Sequence, residues 1–243
     1  MTPLISTFGD IVNINELLAN PPSPHYSNTG DPMQMGLAPQ VLTFLDSRLT
    51  PDMHTLETGS GVSTVLFAMK GTHHTAITPA AAEFEVIKDY CRSRGIDVGN
   101  VQFIAEPSAL ALPRLDPTPL DIVLIDGLHG FPTPFIDFFY TVGRLKIGGL
   151  LIIDDIQLQP CGYMKDVLSE QPQWRCEADF TPRSIIFQKL ADGSEWGDWT
   201  DQPYVFRNSG YNLSTPFSRL ITHIQRGEMS IIAQKIKRRL SIG

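Results

Sequence analysis

From Gln40 onward the chain alternates between two kinds of apolar spacing. Val41, Leu42, Phe44, Leu45 and Leu49 recur at helical intervals, which predicts a helix with one buried face. A strand is expected at Met53–Glu57, followed by Gly-Ser-Gly and a helical run over Val62–Met69. His74–Thr78 reads as the next strand. Pro79 then opens a helix in its first turn, where a missing N–H costs nothing. Gly95 stops that helix after Arg94, because glycine accepts the left-handed backbone of a helix end. Val101–Ala105 is a third strand and Ser108–Leu112 a short helix. Leu120–Ile125 is nearly all apolar, as expected of a parallel strand covered on both faces. Phe131–Arg144 is helical, with Pro132 and Pro134 in its opening turn, and Gly148-Gly149 turns the chain into a last apolar strand, Leu150–Ile153.

Five alternations of strand and helix predict an α/β fold with a doubly wound, mostly parallel sheet. A helix near Tyr163–Ser169 precedes two more strands, Trp174–Phe180 and Ser184–Leu190. Only Thr181, Pro182 and Arg183 join them, too short a link for a crossover helix, so an antiparallel hairpin is expected. The two ends break the pattern. Residues 1–39 read as a cap, with a helix at Asn13–Leu18 and then a Pro-, Gly- and Ser-rich loop over Pro21–Pro39. That loop is either a disordered leader or a lid over a pocket carrying His25, Tyr26, Met33 and Met35. Residues 191–243 form a C-terminal extension, in which Met229, Ile232, Ile236 and Leu240 oppose Lys235, Lys237, Arg238 and Arg239. Such a stripe suits a membrane surface or a helix docked on the domain, and docking is the expectation. The organisation is thus a cap at 1–39, an α/β domain at 40–190 and the extension at 191–243.

Charge and cysteine content narrow the function. The 26 acidic and 19 basic residues leave a net charge of -7, whereas a nucleic-acid binder needs a basic stripe to neutralise phosphates. Nucleic-acid partners are therefore not expected. Cys91, Cys161 and Cys176 form no CxxC pair, so neither a disulfide framework nor a zinc knuckle is indicated and a cytoplasmic location is expected. The first residues have no basic start and Asp10 interrupts their apolar run, so no secretory signal is expected. No apolar stretch is long enough to span a bilayer.

In an open parallel sheet, ligands bind outside the carboxyl ends of the strands where strand order reverses. Three predicted strand ends carry suitable groups: Glu57-Thr58-Gly59-Ser60-Gly61, Asp126-Gly127-Leu128-His129-Gly130 and Asp154-Asp155. The first is a strand–glycine–helix turn, which lets a ligand approach the backbone and meet free N–H groups. A nicotinamide fingerprint would need glycine at Thr64 and an acid at Thr78. An NAD(P)-type oxidoreductase is the alternative that loses ground on both counts; a non-catalytic binding module is a second alternative.

Together LETGSGVST at 56–64, LDIVLIDGLHGFP at 120–132 and LKIGGLLIIDDI at 145–156 resemble successive motifs of class I S-adenosylmethionine-dependent methyltransferases. The likeness is to the O-methyltransferase branch with an Asp-Gly-x-His segment and covers about residues 40–190. It implies a seven-stranded sheet whose last strand is antiparallel, and methyl transfer from S-adenosylmethionine to a hydroxyl of a small molecule. By that resemblance Glu57, Gly59, Ser60 and Gly61 fall on the methionine-holding motif, with Ser63 adding a hydroxyl. Thr78 stands where an acid usually holds the ribose, which leaves Glu83 or a backbone group to replace it. Glu106 and Ser108 fall where the adenine is met; Ser108 also suits a helix cap.

His129 suits a proton acceptor at neutral pH, with Asp126 to orient it or to face the donor's amino group; capping the next helix is the plainer reading. Related O-methyltransferases hold a divalent cation with acids that correspond to Asp126, Asp154 and Asp155, so Mg²⁺ or a similar ion is a further expectation. Alternatively, Asp154 or Asp155 binds loop backbone. The acceptor's identity is not legible, and assembly into a homo-oligomer is left open.

Overall fold

The structure, a computed structural model, describes residues 13–26, 32–33, 36–193 and 197–209. The chain divides into two compact units, Met1–Glu195 and Trp196–Gly243. In the first unit a short helix, α1 (Ile14–Ala19), is capped by the Asn13 side chain, and the two-residue strands β1 (His25–Tyr26) and β2 (Pro32–Met33) pair antiparallel. The span expected to be all loop therefore contains a small ladder. Helix α2 (Pro39–Arg48) leads into β3 (His54–Thr58), α3 (Val62–Met69), β4 (His73–Ile77), α4 (Ala81–Ser93) and β5 (Val101–Ile104). Then come α5 (Ser108–Ala111), a 3-10 turn at Leu112–Arg114, β6 (Leu120–Ile125), α6 (Thr133–Val142), β7 (Leu145–Ile153) and α7 (Gln159–Glu170). The unit closes with the hairpin β8 (Trp174–Phe180) and β9 (Ser184–Lys189).

Seven strands form one sheet in the order β5-β4-β3-β6-β7-β9-β8. Strands β3 to β7 run parallel, and β9 is antiparallel to both of its neighbours. The expected hairpin is thus present, with β9 inserted against β7 and β8 on the outside. One core layer packs Val41, Leu45, Val65, Phe67, Phe84 and Ile87 from α2, α3 and α4 against the sheet, and the other packs Leu112, Val142, Cys161 and Met164 against the opposite face. Burial on both faces explains why β6 and the end of β7 read as uninterrupted apolar runs.

The Gly148-Gly149 pair is a correction to the sequence reading. It does not precede the strand: β7 already starts at Leu145. Leu120 pairs with Leu145 but Ile122 pairs with Leu150, so β7 carries extra residues in a bulge. Gly148 has φ +87°, and a Cβ on Gly149 would lie 2.9 Å from the Lys146 carbonyl oxygen, so the glycines serve the bulge itself. The opening turn of the α4 span is likewise irregular, with the helix starting at Ala81 rather than Pro79.

In the second unit the described residues 197–209 hold a 3-10 turn at Trp199–Asp201 and a short helix, α8 (Pro203–Asn208). The Trp199 and Phe206 rings stack with centroids 5.7 Å apart. The expected amphipathic helix around Met229–Leu240 lies outside the described residues, as do Met35 and Trp196. Among the described residues no helix is long and apolar enough to cross a membrane.

Candidate functional site

Strand order reverses between β3 and β6, since β3 connects onward to β4 on one side and has β6 on its other. At the carboxyl ends of these two strands lies a cavity of about 460 Å³. Its wall includes Thr58, Gly59 and Ser60 after β3, Thr78 and Glu83 after β4, Ser108 after β5, Asp126 to His129 after β6, Asp155 after β7, and Arg183 from the β8–β9 turn.

The glycine turn is shaped by close backbone approach. Gly59 has φ +98°, and a Cβ there would lie 2.9 Å from the carbonyl carbon of Asp126 and closer still to its oxygen. A Cβ on Gly127 would meet the Thr58 side chain at 3.3 Å. The turn after β3 and the turn after β6 therefore interlock, leaving no room for a side chain at Gly59 and only a tight fit at Gly127.

Glu57 lies behind this turn rather than in the cavity wall. It is 1% exposed and accepts hydrogen bonds from Ser63 Oγ (2.6 Å), from Thr64 Oγ1 and from His74 Nε2 (3.1 Å). Thr64 Oγ1 also accepts the Gly61 N–H at 2.9 Å, half of a capping box that fixes the start of α3. His74 continues the network to Thr55 Oγ1 at 2.8 Å and stacks on Phe67. A buried carboxylate is tolerable only when saturated in this way. Glu57 and Ser63 thus brace the glycine turn from beneath, and the residues that sequence reasoning missed here are Thr64 and His74. Thr64 was visible only as an absent glycine.

On the β4 side, Glu83 in the first turn of α4 collects three side chains. Ser60 Oγ donates to Oε2 at 2.8 Å, Thr78 Oγ1 to Oε2 at 3.2 Å, and His25 Nδ1 lies 3.1 Å from Oε1. Burial works to raise the Glu83 pKa, but the hydrogen bonds from His25 and Ser60, the charge of His25 and the Thr78 hydroxyl outweigh it and hold the pKa below the ordinary value. His25 brings the β1–β2 ladder to the cavity wall, and its Nε2 would lie 3.5 Å from a Cβ on Gly61.

Across the cavity, Asp126, His129 and Asp155 offer ligand atoms within 4.8 Å of one another. His129 Nε2 lies 2.9 Å from Asp155 Oδ2, while Nδ1 faces the Cys161 thiol at 4.0 Å. Asp155 reaches this position from φ +52°, the one non-glycine residue with positive φ among those described, a conformation that costs energy and is held by its surroundings. Burial, joined by the charges of Asp154, Glu57 and Asp155 and opposed by Arg183, pushes the Asp126 pKa well above the ordinary carboxyl value. Burial, again with Asp155, Asp126, Asp154 and Asp137 nearby, pushes the Cys161 thiol up to about 12.

Asp154 is placed differently from its neighbour. It is fully buried, accepts a hydrogen bond from Ser184 Oγ, and pairs with Arg183 Nε at 3.3 Å. The three aspartates read together from sequence are therefore divided, with His129 joining Asp126 and Asp155 in place of Asp154. Glu106 points outward to an ion pair with Arg114 and is absent from the cavity lining. Ser108 does line the cavity, and α5 has no side-chain cap, so Ser108 is not acting as one. Nor does His129 cap α6, whose N-terminus also lacks a side-chain cap. Beneath Ser108 and Thr58 lies Asp137, with 0% exposure and neither oxygen in a well-formed hydrogen bond. Burial raises its pKa against the weaker pull of the Ser108 and Thr58 hydroxyls and the His129 charge.

Residues 56–156 match a family described as a methyltransferase domain. No curated protein sequence matches the chain. Among solved structures, the chain resembles the cofactor-bound protein Rv0187 from MTB (16% identity, TM-score 0.57), covering 66% of this chain and 84% of that one. It also resembles an O-methyltransferase from Bacillus cereus in complex with SAH (15% identity, TM-score 0.53; 65% and 84% covered). A third likeness is to an rRNA methylase from Streptococcus thermophilus (19% identity, TM-score 0.51; 65% and 99% covered). At such identities these structures establish a shared Rossmann-like fold.

Proposed function

We propose, for a chain whose residues 56–156 match a methyltransferase-domain family, that it transfers a methyl group from S-adenosylmethionine to a hydroxyl of a small molecule. The observation that carries this reading is the cavity at the β3/β6 switch point, floored by two interlocked glycine turns and faced by the Asp126–His129–Asp155 cluster. The donor supplies an activated methyl on a sulfonium, so the protein's task is to align the acceptor and manage its proton.

The residues fit such a donor. Gly59 and Ser60 line the cavity, where the absent Cβ of Gly59 leaves backbone open to a ligand, and Asp126 lies beside them in the wall. His129 and Asp155 handle the proton. His129 Nε2 lies 2.9 Å from Asp155 Oδ2, so a proton taken from the acceptor hydroxyl by this pair leaves an imidazolium beside a carboxylate, the arrangement that lowers its cost. Arg183, at the cavity edge, balances the surplus of acids by its contacts to Asp154 and Asp155.

A divalent cation is a second reading, favoured by the same 4.8 Å cluster of Asp126, His129 and Asp155. An ion there would lower the acceptor hydroxyl's pKa and fix its oxygen. One titration series tests both readings. Calorimetry with S-adenosylhomocysteine should show saturable binding by the whole chain, and a repeat with Mg²⁺ or Mn²⁺ should show whether an ion joins it. No heat with S-adenosylhomocysteine would sink the methyltransferase reading. Heat that is unchanged by either ion, with transfer activity indifferent to EDTA, would dispose of the metal.

A further inference from the structure

We propose that Glu83 is the carboxylate that grips a vicinal diol in the cavity, the ribose hydroxyls of the donor, and that Ser60 and Thr78 hold it in place for that task. The inference rests on the donor reading above and adds a residue to it. In nucleotide-binding sheets of this type an acid at the end of the second strand receives the ribose hydroxyls. Here that strand is β4, and its end carries Ile77 and then Thr78, neither of which is an acid. The cavity nevertheless contains a carboxylate on that side. Glu83 enters it one turn later, from α4.

Three features distinguish Glu83 from an ordinary surface acid. Both oxygens are engaged from within the cavity wall: Oε2 accepts from Ser60 at 2.8 Å and Thr78 at 3.2 Å, and Oε1 faces His25 at 3.1 Å. Two of these three partners are alcohols, the functional group a ribose would bring. Hydroxyl rotors exchange partners readily, so Ser60 and Thr78 stand in for ligand hydroxyls and aim the carboxylate meanwhile. Finally, its hydrogen bonds hold the pKa low despite half-burial, so the group is an acceptor across the physiological range. His25, delivered by the β1–β2 ladder, gives this carboxylate an imidazole partner at Oε1.

The test compares S-adenosylhomocysteine with its 2′-deoxy and 3′-deoxy forms by calorimetry. The unaltered chain is expected to prefer the full ribose by roughly tenfold to a hundredfold, the range for a hydrogen bond to a charged group. Glu83→Gln should lose most of that preference while binding the deoxy forms as the unaltered chain does. Glu83→Asp keeps the charge but withdraws it by one methylene, and it should lose the preference as well. Circular dichroism melting checks that both variants fold. A Glu83→Gln protein that retains the full preference overturns the assignment, and so does one that weakens all three ligands equally. If the unaltered chain binds none of the ligands, the donor reading itself fails, which is a different result from a bound donor indifferent to Glu83.

Discussion

Replacing Gly59 with alanine separates two penalties that a glycine can conceal. Gly59 and Gly95 both have positive φ, +98° and +68°, so a Cβ at either position incurs a conformational cost of about 1–2 kcal/mol. Part of that is offset by stiffening of the unfolded chain, worth about 0.4–1 kcal/mol. The surroundings differ. Nothing lies within 4 Å of a Cβ on Gly95, whereas a Cβ on Gly59 would press on the Asp126 backbone, 2.9 Å from its carbonyl carbon. Backbone cannot rotate aside as a side chain can, so overpacking of about 1–3 kcal/mol is added. Gly59→Ala is therefore expected to be less stable than Gly95→Ala by about 1–3 kcal/mol, read from urea unfolding midpoints at equal slope. Because the strain falls on Asp126, Gly59→Ala should also weaken S-adenosylhomocysteine binding, and Gly95→Ala should leave it intact. Equal stability of the two variants, or equal ligand affinity, would refute the interlocked-turn argument.

Two further expectations come from buried groups. Asp137 has a raised pKa in the fold, so the native state holds its proton at pH values where the unfolded chain has released it. Its contribution is thus complete below the unfolded carboxyl pKa and is lost as pH rises through the folded one. Asp137→Asn should remove that loss, making the variant relatively more stable at pH 7 than at pH 3.5 in denaturant titrations; a pH-independent difference would contradict it. Cysteine labelling should also be selective. Burial pushes Cys91 to about 11 and Cys161 to about 12, while Cys176 is exposed, so brief thiol alkylation at pH 8 followed by mass spectrometry should modify Cys176 alone.

Where the sequence was informative, local periodicity carried the signal. Leu120–Ile125 and Val62–Met69 have the expected bounds, because a fully covered strand and a buried helix leave few polar positions to confuse the pattern. The three-residue link between β8 and β9 likewise left one topology open to them. Gly148-Gly149 was misleading because glycines in a bulge and in a turn look alike without knowledge of the partner strand. In the site, legibility followed sequence distance. Gly59, Asp126, His129 and Asp155 follow their strands directly, so position in the fold could be inferred for each. The parting of Asp154 from Asp155 depends on Ser184 and Arg183 from a distant hairpin. The pairing of His25 with Glu83 spans 58 positions. Such encounters are made by tertiary packing and leave no local trace.

The hairpin that carries Arg183 lies at one margin of the sheet, with β9 paired to β7, and among the described residues it brings to the cavity the one Lys or Arg side chain in its lining. Molecules with this architecture can therefore change the polarity of the cavity by editing a few residues there. Strands β3 and β6, whose ends floor the cavity, need no alteration. For an engineer, that margin is the place to retune the charge that the cavity presents.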